Sequence, residues 1–183
     1  MLWGGSPRVG PAPARESGRV DVTQVVFGFV PVLAVVLTGL FAGLFLSFSM
    51  AVMPGLARVE DRAMVESMQR INSAILNPLF ALVFVGAPVA VLGSAALFLV
   101  AGAHPSAVWT GVGLVALVVT VAITFTVNVP RNNALDAVRA TSEAADMAAA
   151  RAAFESVWVR WNHVRALMGV AALVCCVVGL SLH

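Results

Sequence analysis

The chain holds 183 residues, 60% of them hydrophobic and 11% charged, with a formal net charge of +2. Soluble domains carry roughly 25% charged residues, so this chain could not cover a water-facing surface. A soluble enzyme and a nucleic-acid-binding domain are both excluded.

The first twenty residues, "MLWGGSPRVGPAPARESGRV", are rich in Pro, Gly and Arg and hold no apolar run. A signal peptide needs an apolar h-region. The stretch reads instead as a disordered tail over residues 1–22, ahead of one membrane domain over residues 23–183. Every charge lies in three windows: Arg8 to Asp21, Arg58 to Arg70 and Arg131 to Arg165. A membrane helix needs about 20 apolar residues, and the uncharged gaps supply four. The first span covers roughly Val25 to Met53, where Met53-Pro54-Gly55 ends or kinks the helix. The second begins at Asn77-Pro78, an N-cap followed by a proline at the first helical position, and runs to Ala101. "AGAHPSAVW" then supplies turn chemistry, and the third span follows from Ala107 to Val129. The fourth runs from about Ala166 to Leu182 and is extended backwards by "WVRWNHVR". Cys175 and Cys176 inside it are neighbours on a helix and read as small apolar fillers.

The connections differ in kind. Between spans two and three there is a short turn. After spans one and three come long, charged, helix-forming segments: Met64, Met68, Ile71 and Ile75 recur at helical spacing, and an alanine-rich run precedes Trp158. Four crossings place both long connections on one side and the termini on the other. Of the eleven arginines, three lie in the tail (Arg8, Arg15, Arg19) and eight with the long connections. The positive-inside rule then puts those connections in the cytoplasm, and the expected location is the bacterial plasma membrane. The expected fold is all-α: an integral-membrane antiparallel four-helix bundle with helical extensions on one membrane side.

Two patterns mark the spans. Gly39, Gly43, Ser47, Ala51 and Gly55 fall every fourth residue, a spacing that lets helix backbones approach closely. Polar residues gather at one level on the long-connection side: Gln69 and Asn72 before the second span, Asn128 with Asn132 and Asn133 after the third, and Trp158, Asn162 and Arg165 on one face of the fourth helix. His163 lies somewhat off that face, and Trp161 stands one turn before Arg165, where it could stack on the guanidinium. An interfacial belt accounts for tryptophans and a snorkelling arginine. It does not account for Gln69, Asn72, Asn128 and Asn162 at one depth, because polar side chains there usually face a cavity. A polar pocket at one mouth of the bundle is therefore expected.

"MPGL", "MQRINSAILNP", "NVPRNNAL" and "WVRWNHVR", in this order around four spans, resemble the anthrone oxygenase family over Val25 to His183. Fungal members of that family are linked to oxidising a polyketide anthrone to an anthraquinone with molecular oxygen. The resemblance implies an oxygenase acting on an aromatic or other lipophilic substrate, with oxygen as co-substrate and no other cofactor. Such chemistry needs a base, donors for an enolate oxygen and an apolar slot. His163 is the natural base, since histidine titrates near neutral pH. Gln69, Asn72, Asn128, Asn132, Asn162 and Arg165 would contact the substrate, with Trp158 and Trp161 flanking its rings. No metal site is expected, because His163 has no histidine partner at ligand spacing and His104 and His183 belong to the opposite side. The expected partners are membrane lipid and a lipophilic small molecule, with a homo-oligomer left open. The alternative is a non-catalytic membrane protein that binds a small molecule or aids assembly.

Overall fold

The computed structural model describes residues 22–139 and 141–183; residues 1–21 of the expected N-terminal tail lie outside them, and Val22, its last residue, already belongs to the first helix. Among the described residues seven α-helices follow in order: α1 (Val22–Ser47), α2 (Met53–Leu56), α3 (Asp61–Ile75), α4 (Pro78–Val100), α5 (His104–Ile123), α6 (Val129–Asp136) and α7 (Ala144–Ser181). Two five-residue π-helical segments, Phe48–Val52 and Thr124–Asn128, join α1 to α2 and α5 to α6 without a break. Among the described residues there is no strand.

Among the described residues four stretches are long and apolar enough to cross a membrane: Val25–Leu56, Pro78–Val100, His104–Asp136 and Ala144–Ser181. Val85, Val89 and Leu92 of α4 and Val108, Val112 and Val115 of α5 stand exposed, as lipid-facing side chains do. The chain is an integral membrane protein. In the bundle α1 packs on α4, α4 on α5, α5 on α7, and α7 back on α1. Chain neighbours are thus spatial neighbours, the arrangement short connections favour in antiparallel bundles.

The ends of the helices follow local chemistry. Asn77 accepts a hydrogen bond from the Phe80 amide at 3.0 Å, and Pro78 occupies the first helical position. At the other end of α4, Gly102 takes a positive φ of 72°. That left-handed residue lets the Ala103 amide reach Phe98 O at 2.9 Å and the Gly102 amide reach Leu99 O at 3.1 Å, a glycine-dependent helix stop. The two π segments share a cause. Each ends two residues before a proline, Pro54 or Pro130. A proline ring clashes with the carbonyl four residues back, and one wider turn moves that carbonyl aside.

Two apolar clusters hold the fold. One fills the bundle, with Leu37, Phe41, Phe45, Phe84, Ala87, Val91, Leu117 and Ala172. The other lies beyond it, where α3 and the first half of α7 pack Met64, Val65, Met68, Met147, Phe154 and Trp158 around Met53 and Leu135. Arg151 pins this cap to the end of α2. It donates to Ala57 O at 3.0 Å and Val59 O at 2.8 Å, and pairs with Asp61 and Glu155. Those carbonyls lack helical partners, so the arginine satisfies groups that burial would otherwise strand.

The glycine stripe does not make the close contacts expected of it. A Cβ on Gly43 or Gly55 would meet nothing within 4 Å, and one on Gly39 would meet only Leu173 at 3.8 Å. The adjoining face of α1, with Ala34, Leu37, Thr38, Phe41 and Ala42, is the buried one. The close approach runs through α7 instead. A Cβ on Gly169 would lie 3.0 Å from Ala42 Cα, and one on Gly113 would lie 3.1 Å from Ala172 O. Large phenylalanines at positions 41 and 45 turn α1 about its axis because they bury more apolar area than the stripe.

Candidate functional site

A cavity of about 270 Å³ opens where the bundle meets the cap, just under the roughly 300–1,000 Å³ usual for small-molecule sites. Rings wall most of it: Phe45 and Phe48 from the first span, Phe80 and Phe84 from α4, Phe125 from the second π segment and Trp158 from α7. Phe80 and Phe84 stack at 5.2 Å, and Phe125 meets Phe84 edge-on at 6.1 Å. Ile71, Ile75 and Leu76 of α3 and its exit cover the rim.

Arg165 lies on the inner wall, only 4% exposed. Its guanidinium donates to Asn162 Oδ1 at 2.8 Å and to Thr124 Oγ1 at 3.3 Å. The central carbon sits 4.4 Å from the Phe45 ring centre and 5.3 Å from that of Trp158. Among the described residues no carboxylate pairs with it, and its Nε has no acceptor. Glu155 is taken by Arg151. Ring faces and neutral oxygens compensate a buried cation only in part.

Asn162 organises this corner. While its oxygen serves Arg165, its Nδ2 donates to Phe45 O at 3.0 Å and to Ser49 Oγ at 2.9 Å. Ser49 belongs to the first π segment and is also bonded to His163 Nδ1 at 3.1 Å. Since Ser49 accepts from Asn162, its hydroxyl proton is free to go to the histidine.

The structure brings Asn72, Asn132, Trp158, Asn162 and Arg165 to the cavity. Asn132 Oδ1 accepts from Trp158 Nε1 at 2.8 Å, which fixes that ring as a wall. Four other expected residues do not line it. Gln69 Nε2 donates to Leu135 O and Val138 O at 2.8 and 2.9 Å and so closes the end of α6. Asn128 is buried, with its Nδ2 3.4 Å from Trp158 O. Trp161, half-buried, is replaced over Arg165 by Phe45 and Trp158. His163 is exposed and faces away, because neighbours on a helix point about 100° apart. It reaches the cavity only through Ser49 and Asn162.

Sequence reasoning missed the phenylalanines and Asp136, which stands at the rim with an oxygen 3.5 Å from Asn72 Nδ2. Signals for both exist. Asp136 falls four residues after Asn132, and Phe41, Phe45 and Phe48 recur at helical spacing, as do Phe80 and Phe84. Among the described residues no three His, Cys, Asp or Glu side chains come together as a metal-binding group.

A family model described as anthrone oxygenase matches residues 79–175, just over half of the chain. No curated protein and no solved structure matches.

Proposed function

The chain belongs to the anthrone oxygenase family, and from that premise we propose that it oxidises a flat, lipophilic aromatic ketone with molecular oxygen inside the membrane. The observation that carries this reading is Arg165: a buried cation without a carboxylate, set in a cavity walled by six aromatic rings. An anthrone-like substrate has an acidic ring CH₂. Loss of one proton to water at the cavity mouth gives an enolate, whose charge rests on oxygen and whose carbon is electron-rich. That carbon passes electrons to oxygen and forms a C–O bond. The peroxide anion so formed takes a proton back. The resulting hydroperoxide loses water, so one oxygen atom stays as the new carbonyl and the other leaves as water.

Arg165, oriented by Asn162 and Thr124, is the group suited to hold the enolate oxygen, because preorganised donors in a dry site stabilise developing charge most. Phe80, Phe84, Phe125 and Trp158 hold the ring plane. Asn72 and Asn132 serve the polar edge near the rim. His163 steadies Ser49 and Asn162 from outside rather than taking the proton itself. The long connections lie in the cytoplasm of a bacterial cell on this reading, which places the cavity mouth at the cytoplasmic leaflet.

The test is oxygen uptake by purified protein supplied with anthrone, with and without a chelator. Uptake matched by anthraquinone formation, and lost in Arg165→Met, is expected. Stoichiometric binding of anthrone without any uptake would favour a binding protein instead.

A further inference from the structure

The cavity is electrically lopsided. Among the described residues that line it, Arg165 is the one cation and Asp136 the one carboxylate, and the two do not pair. Arg165 is at the inner end, level with Thr124, to which it is bonded. Asp136 is exposed at the rim. Twelve residues separate Thr124 from Asp136 along nearly continuous helix, roughly 18 Å at 1.5 Å per residue. Between the charges lie rings.

The geometry points to a specific ligand form: an aromatic monoanion that enters charge-first, seats its anionic oxygen on Arg165 and leaves an uncharged, donor-bearing end at Asp136. This deepens the oxygenase reading and rests on it for the identity of the anion, an enolate oxygen, while the charge preference itself needs no turnover. Three observations carry it. Only two hydrogen bonds leave the Arg165 guanidinium, which has more donors than that. Its charge is buried and among the described residues has no counterion, so an entering anion removes an existing penalty instead of adding one. Asp136 repels a second negative group at the rim and accepts from hydroxyls, which gives the slot a direction.

Binding of probes that cannot be oxidised tests this in detergent-solubilised protein. Anthracene-2-carboxylate is expected to bind about tenfold or more tightly than its neutral carboxamide, a difference of one charge-assisted contact. In Arg165→Met that preference disappears. Arg165→Gln, which keeps length and an amide donor but removes the charge, abolishes it as well and guards against a misfolded first variant. A 2,6-dicarboxylate binds poorly to the wild type and gains affinity in Asp136→Asn.

Two arms identify the source of the charge. 2-Naphthol, whose absorption moves on ionisation, reports whether the site takes a ring oxyanion. Naphthol ionised on binding supports the enolate form, and acid preference without that shift supports a carboxylate-bearing ligand. Equal affinity for acid and amide with no naphthol shift overturns the inference, as does decanoate binding as tightly as the anthracene acid. Failure of oxygen uptake alongside an intact acid preference would fell the oxygenase reading and leave this one standing.

Discussion

Asn162 presents its side-chain oxygen to the buried guanidinium of Arg165 at 2.8 Å, three residues further along the same helix. That bond turns the arginine toward the aromatic cavity, with the Phe45 ring against its face. Arg165→Met keeps much of the volume and removes the charge. Because a buried cation without a carboxylate contributes little net stability, this variant is expected to unfold within about 1 kcal/mol of the wild type or above it. Turnover falls at least about a hundredfold if Arg165 holds developing charge, the scale seen when one oxyanion donor is lost. Thermal unfolding and oxygen uptake on the same preparation check both halves.

Ser49 stands between Asn162 and His163. If the histidine acts through that hydroxyl, Ser49→Ala and His163→Ala each reduce activity several-fold, and the double variant is no worse than the poorer single one. Independent residues would give additive losses in the same cycle. A complete loss in His163→Ala alone, with Ser49→Ala unaffected, would return the histidine to the role of base.

Packing between α1 and α7 is closest where Gly169 faces Ala42. Gly169→Val forces backbone apart and is expected to cost about 1–3 kcal/mol. Gly43→Ala, which meets no neighbour within 4 Å, leaves stability unchanged or raises it by up to about 1 kcal/mol through helix propensity. The comparison of the two unfolding midpoints separates contact from mere smallness.

Gln69 holds Leu135 O near the end of α6 and Val138 O just beyond it from the cap. Gln69→Leu leaves Leu135 O and Val138 O without that donor, at about 1–3 kcal/mol for the pair. Since Asp136 sits on the same turn, the variant also loosens the rim. Faster proteolysis after Asp136, with the bundle intact, is the expected sign.

Much of the fold was legible because the bilayer imposes it. Uncharged stretches of spanning length force helices, and Asn77-Pro78 and the turn at Gly102 mark their ends by local chemistry alone. The depth of the polar residues was legible too, since helical rise converts sequence distance into height. That is why the sequence alone puts Asn72, Asn132, Trp158, Asn162 and Arg165 at one level.

Rotation about each helix axis was not legible. Height follows from counting, but the direction a side chain takes depends on which neighbour buries the most area. The stripe at Gly39 and Gly43 lost to Phe41 and Phe45, so the tight contact moved to Gly169. His163 and Asn162 are adjacent in sequence, yet one faces outward and the other is buried with Arg165. The π segments, set by Pro54 and Pro130, each widen one turn and shift the helical phase in a way that periodic counting omits. The sequence by itself determined four spanning helices and the level of a polar site. Only the packing of α1, α4, α5 and α7 decided which of those polar groups share a cavity, because burial is a property of neighbours and not of position along a chain.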